Sequence, residues 1–346
     1  MYKRAVKDLT IHEIISAVDP ATRIPYGVSR YYASLAENEN PDSDPIAAQY
    51  IPRPQEQITL PEESSDPIAD EQYSVSPRVI HHYHDRILIL VNDRCATYCR
   101  HCFRRHFTGS SDGRISSGEL DAAAEYLKKT PQVQEVLLSG GDPLMMSDRE
   151  LSEVIIMLKN AVPGRRLLFR LASRMPVVLP SRITRDLVQT LSAAADKRLW
   201  VVTHANHPRE LTPEFEQAVS RFVDGGIPVL NQAVLLRGIN NSADTLEALF
   251  RGLIQMRVKP YYLFQGDLAA GTSHFRTGIN EGLDLMDELR SRLSGMAMPT
   301  YAVDLPGGGG KIPLTRETVS QDGDAGYILK DRQGRVYRYP REQHAG

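Results

Sequence analysis

The chain has 346 residues, 41% of them hydrophobic and 24% charged, with a formal net charge of −2. This is the composition of a soluble globular protein long enough for one barrel-sized domain with attachments, and it carries no bulk charge that would draw it to nucleic acid or an anionic membrane. No apolar run approaches a membrane span, and the N-terminal "MYKRAVKDLTIHEII" lacks an apolar signal core, so a cytoplasmic protein is expected.

Residues 1–79 show short helical patterns broken by polar, Pro-rich segments such as "NPDSDPIAAQYIPRPQEQ" and "PEESSDPIAD". Their apolar density is too low for a core, which predicts an N-terminal helical region that wraps over another domain or stays partly mobile. Residues 80–298 read differently. Short apolar runs alternate with amphipathic helices: "ILILV" from Ile87, "EVLLSG" from Glu135, "LLFRLA" from Leu167, "LWVVTH" from Leu199, "VLNQAVLL" from Val229 and "YYLFQGD" from Tyr261. Their start-to-start gaps are 48, 32, 32, 30 and 32 residues. About 30 residues is the length of one strand, loop, helix and loop, so six such units predict an α/β fold with a partial or full β/α barrel. Helices such as "DRELSEVIIMLKN" and "TPEFEQAVSRFV" start at N-cap residues and keep a 3.6-residue period. The strands are apolar almost throughout, as strands covered on both faces are.

Parallel β/α folds gather their sites at the C-terminal ends of the strands. That rule selects the loop after the first strand, Ser139–Asp142 after the second, His204 after the fourth and Asp267 after the sixth. Residues 299–346 are read as a separate C-terminal segment, in which "TYAVDLPGGGGK" is a strand running into a glycine turn and "GYILKDRQGRVYRYP" a hairpin with Gly334 near its turn.

All three cysteines of the chain, Cys95, Cys99 and Cys102, lie in "DRCATYCRHCFRRHF" with the spacing C-x3-C-x2-C. In a reducing compartment such clustering points to metal or catalysis rather than to a disulfide. A structural zinc site needs four ligands, which His101 or His106 could complete. A [4Fe–4S] cluster held by three thiolates keeps one iron open for a substrate or cofactor. Further on, "LPGGGGKIPL" places Lys311 after four glycines. The spacing is not that of a phosphate-binding P-loop, because Ile312 follows the lysine. A lysine on such a turn could bond covalently to an aldehyde cofactor.

The cysteine spacing on the loop after the first strand resembles that of the radical S-adenosylmethionine (SAM) enzymes, which implies a partial (β/α)6 radical SAM barrel. It implies that the open iron binds SAM, and that one electron from the cluster releases a 5′-deoxyadenosyl radical that takes hydrogen from substrate. The motifs "YCRHCFRRHF", "SGGDPL", "SRMPVVLPSRIT", "THANHP", "NQAVLLRGIN", "PYYLFQGDLAAGTSHFRT" and "VDLPGGGGKIP" stand in the order seen in lysine 2,3-aminomutases, a family that also uses pyridoxal 5′-phosphate (PLP). The resemblance implies that Cys95, Cys99 and Cys102 hold the cluster and that Gly140, Gly141, Asp142, His204 and Gln232 lie toward SAM. It implies that Lys311 carries PLP, with Tyr83 and Arg86 near its phosphate. A position there that is usually Arg in the family is His82 here, which weakens phosphate neutralisation or makes it pH-dependent. Arg104 would pair with the substrate carboxylate, and Asp267 and Asp304 with the distal ammonium of lysine. Glutamate-acting relatives lack those acids; an arginine mutase and a lysine mutase serving elongation factor P stay open, as does a non-catalytic SAM- and cluster-binding redox sensor. The family also implies an electron donor such as flavodoxin or ferredoxin, with homo-oligomerisation left open. No cysteine follows Cys102, so the C-terminal zinc site of longer members is not expected.

Overall fold

The structure, a computed structural model, describes residues 24–109, 113–322, 326–331 and 333–341. Ten strands form one sheet in chain order: β1 (Ser74–Ser76), β2 (Val79–Tyr83), β3 (Arg86–Asn92), β4 (Glu135–Gly140), β5 (Leu168–Ala172), β6 (Leu199–Thr203), β7 (Val229–Val234), β8 (Lys259–Phe264), β9 (Thr300–Leu305) and β10 (Gly310–Pro313). From β3 to β9 every neighbour is parallel, and β1, β2 and β10 add antiparallel ends. A separate antiparallel sheet holds β11 (Val319–Gln321), β12 (Tyr327–Lys330) and β13 (Val336–Tyr339), and the β12–β13 hairpin is the one expected around Gly334.

Eight helices accompany the strands among the described residues: α1 (Arg30–Ser34), α2 (Ser117–Lys129), α3 (Asp148–Ala161), α4 (Met175–Val178), α5 (Arg185–Ala194), α6 (Pro213–Asp224), α7 (Ala243–Gln255) and α8 (Ile279–Arg292). Six strand–helix units run from β3–α2 to β8–α8, as the spacing of the apolar runs predicts. Local chemistry sets the helix starts. Ser147 accepts a hydrogen bond from the Glu150 N–H while Glu150 answers the Ser147 N–H, and Thr212 caps α6 through the Phe215 N–H. Inward-turned apolar residues of strands and helices, among them Val136, Leu138, Phe169, Leu171, Phe215 and Phe250, form one continuous core. None of the described helices is long and apolar enough to cross a membrane.

The ladder does not close, yet its two ends meet through side chains. The Lys311 N–H on β10 donates to the Tyr83 hydroxyl on β2 at 3.0 Å, and the Tyr73 hydroxyl donates to the Gly308 carbonyl at 3.0 Å. The sheet is therefore curled into a partial barrel.

Two expectations are corrected. The strand read as the start of a separate C-terminal segment, β9, is the seventh parallel strand of the barrel sheet and pairs with β8 through Tyr262, Leu263 and Phe264. The N-terminal segment, read as too polar for a core, places Tyr32, Ile46, Ala47 and Tyr50 in the main apolar cluster. These apolar residues are few but consistently turned inward, and the segment does wrap: Ser64 pairs with Ala269 beyond β8.

Candidate active site

A cavity of about 210 Å³ lies at the C-terminal ends of the parallel strands. It is lined by Cys99 and Cys102 from the loop after β3, by Asp267 after β8, by Asp304 on β9 and by Lys311 on β10. His204, after β6, and Gln232, on β7, line it too. Residues separated by more than 200 positions thus converge because consecutive parallel strands bring their carboxyl ends to one rim.

Lys311 is directly opposite Asp304 in the β9–β10 ladder, and its Nζ is 3.4 Å from Asp304 Oδ2. The ammonium also lies 4.3 Å from the centre of the Phe264 ring and 5.0 Å from that of Tyr262, an arrangement that favours a cation. Burial, and next the neighbouring Asp304 carboxylate, push the pKa of Asp267 up to about 8, against the pull of Lys311 and Arg104. The two acids therefore compete for positive charge, and a second cation entering the cavity would relieve them.

The glycine turn before Lys311 has positive φ at Gly307, Gly308 and Gly310, as a bare-backbone turn predicts. Its close approach is to aromatic rings: a Cβ at Gly308 would come within 2.5 Å of Tyr73, and one at Gly309 within 2.5 Å of Tyr337. Lys311 also borders a second groove, lined by Tyr83, Arg86 and His82 among others. There His82 stacks between Tyr73 at 4.0 Å and Tyr83 at 4.6 Å, and burial pulls its pKa below the ordinary histidine value.

The three cysteines are free thiols. Burial raises the thiol pKa of both Cys95 and Cys102, and Cys99 adds to the rise at each. Three soft thiol donors on one loop, each partly exposed, suit an iron–sulfur cluster with one open iron.

The Radical SAM superfamily model matches residues 89–249, and the Lysine-2,3-aminomutase model matches residues 286–345. The L-lysine 2,3-aminomutase of Fusobacterium nucleatum is 42% identical over 96% of this chain and 77% of its own length. The chain belongs to the lysine 2,3-aminomutase family. The L-lysine 2,3-aminomutase of Clostridium subterminale is 40% identical over 90% of this chain and 74% of its own, and the glutamate 2,3-aminomutase of Clostridioides difficile is 36% identical over 92% and 74%. Membership makes the protein an enzyme of the isomerase class, and the superfamily implies a [4Fe–4S] cluster and SAM.

Within this aminomutase fold, other residues singled out from the sequence lie elsewhere. Gly140 and Gly141 pack tightly against protein on the side a side chain would occupy: a Cβ would fall 2.1 Å from the Asn92 carbonyl oxygen or 2.5 Å from that of Arg94. Their bareness lets the cysteine loop leave β3 across the end of β4. Asp142 is buried outside the cavity lining, where it accepts from Ser173 Oγ at 2.7 Å, Arg174 N at 2.8 Å and Leu144 N at 3.0 Å. It fastens the end of β4 to the segment after β5. Arg104 is also buried; its Nε donates to Asp70 at 2.7 Å, and its guanidinium lies 4.7 Å from the Phe103 ring centre.

Sequence reading missed Asp70 and Arg174. Arg174 Nη1 donates to Cys99 Sγ at 2.7 Å, while Nη2 donates to Glu210 at 2.7 Å and to Tyr32 at 2.9 Å. The signal for Arg174 was present: it stands at the end of the third barrel strand, where the strand-end rule looks for function. His204 sits beside this network; burial and then Arg174 depress its pKa to about 4, so its imidazole is neutral at pH 7.

Proposed function

We propose that the protein is a PLP-dependent radical SAM aminomutase that moves the α-amino group of L-lysine from C2 to C3, giving β-lysine. The observation that carries this reading is the single cavity shared by Cys99, Cys102, Lys311, Asp267 and Asp304. When bound, the cluster with SAM supplies a hydrogen-abstracting radical, and PLP supplies a conjugated carrier for the migrating nitrogen.

The chain's own residues would bind, orient and shield. Lys311 would hold PLP covalently, with Tyr83 fixing the backbone of that lysine, and Arg86, which lines the same groove, would meet its phosphate. Arg104, held by Asp70 outside the cavity lining, would have to turn toward the cavity to receive the substrate carboxylate. Asp267 and Asp304 receive the distal ammonium; a desolvated cation needs anionic partners, so two acids favour a charged tail. The small, largely apolar pocket keeps water from the reacting carbon.

Glutamate fits the same residues poorly. Its side-chain carboxylate would face two acids, one of which already has a pKa raised by burial and then by neighbouring negative charge. The test is borohydride reduction of PLP-loaded protein followed by peptide mapping. Label on Lys311 that is lost when lysine, but not glutamate, is added before reduction supports the reading. Label on another lysine overturns the assignment of Lys311.

A further inference from the structure

The cysteine loop is gripped from the N-terminal segment. Glu56, on the turn Pro54–Gln57, is buried, and its carboxylate serves two arginines of the loop at once. Arg100, fully buried between Cys99 and Cys102, donates from Nε to Glu56 Oε1 at 2.9 Å and from Nη2 to Oε2 at 2.5 Å. Arg105, three residues past Cys102, donates from Nη2 to the same Oε2 at 2.8 Å. Each guanidinium is also held at a second point: Arg100 Nη1 reaches the Pro25 carbonyl at 3.0 Å, and Arg105 Nη1 the Ala270 carbonyl at 2.9 Å. The backbone repeats the pattern, with the Arg100 N–H on the Gln49 carbonyl and the Tyr98 N–H on the Gly27 carbonyl, each at 2.9 Å.

This ion cluster is unbalanced. Two guanidinium groups share one carboxylate. The surplus is felt nearby. His274 has its pKa lowered to about 3 by burial and then by Arg53, Arg105 and Arg100. Arg100 directly follows Cys99 and is fully buried, so its charge stands at low dielectric within the cysteine loop, and Glu56 determines how much of the pair's charge is cancelled.

We propose that Glu56 is a positioning residue for the iron–sulfur site: it clamps Arg100 and Arg105 on either side of Cys102 and, by cancelling one of their two charges, sets the cluster's reduction potential. The inference rests on the reading that Cys95, Cys99 and Cys102 hold a [4Fe–4S] cluster. A reduced cluster carries one more negative charge than an oxidised one, so each uncancelled cation beside it favours reduction.

The experiment is anaerobic reconstitution of the full chain, iron and sulfide analysis, and a redox titration followed by electron paramagnetic resonance. Glu56→Gln keeps the shape and removes the charge, and its midpoint potential should move positive. Arg105→Gln should move it negative, and the double variant should return toward wild type. Glu56→Asp, which keeps the charge with a shorter reach, should hold the wild-type potential while binding less iron. A merely structural role would lower iron content without this ordered, opposite-signed pattern. Coincident potentials, or shifts of one sign for Glu56→Gln and Arg105→Gln, overturn the proposal. If Glu56→Gln fails to assemble a cluster, Arg105→Gln alone decides, and any shift other than negative overturns it. Wild-type protein without iron–sulfur absorption removes the cluster reading and the inference with it; a wild-type cluster with unmoved potentials removes the inference alone.

Discussion

Asp267→Asn is the substitution whose consequences can be worked furthest. In the ligand-free protein the Asp267 carboxyl has its pKa raised from 3.8 to about 8, by burial and then by Asp304. Between about pH 4 and pH 8 the folded protein holds a proton there that the unfolded chain has released. Unfolding then releases a proton, so stability falls as pH rises through this window and levels off above 8. A rise of about 4 units at ~1.4 kcal/mol each sets a ceiling of ~6 kcal/mol. The side chain borders the cavity and is only partly shielded from water, so solvent screening reduces the cost to ~2–3 kcal/mol. Asparagine cannot ionise. Asp267→Asn should match wild type near pH 4, lose this part of the pH slope, and be more stable than wild type above pH 8 by ~2–3 kcal/mol. Urea unfolding of PLP-free protein from pH 5 to pH 9 reads the difference. Parallel wild-type and variant profiles would refute the premise that Asp267 sits in a site short of positive charge. The same variant should bind lysine more weakly, because one of two anionic partners is gone.

Other outcomes follow from the same cavity. Asp304→Asn should cut lysine turnover at least ~10-fold, about the effect of losing one charge-assisted bond, while iron content stays at the wild-type value; equal losses of both would point to a folding defect. Arg104→Lys replaces a fork-shaped donor by a point charge, so the KM for lysine should rise ~10-fold in steady-state assays with kcat less affected. Tyr83→Phe removes the acceptor for the Lys311 N–H and should slow PLP attachment, read by absorbance, without altering SAM binding.

Much of the fold was legible because it is written locally. The run "EVLLSG" coincides with β4, and the 30-residue spacing reproduces the six strand–helix units. What escaped depends on distant partners. "VIHHY" carries two histidines and a tyrosine, and only its pairing with β3 makes it β2. β9 was assigned to a separate segment because a glycine run follows it, whereas the gap at the edge of β8 decides its place. The site shows the same division. Cysteine spacing and the glycine–lysine turn are local patterns, and Cys99, Cys102 and Lys311 do meet in one cavity. The Asp70–Arg104 and Glu56–Arg100 pairs join residues 34 and 44 positions apart, with no periodicity to announce them. Asp142 misled in the opposite direction: a carboxylate beside two glycines at a strand end looks available, but three internal donors already occupy it.

The most direct test is an anaerobic incubation of cluster-loaded protein with PLP, SAM and a reductant, given lysine, arginine or glutamate separately and followed by NMR and mass spectrometry. The account predicts β-lysine from the lysine sample alone, formed without change of mass. Conversion of glutamate, or unchanged lysine in a protein whose cluster is reduced and whose Lys311 carries PLP, would contradict it.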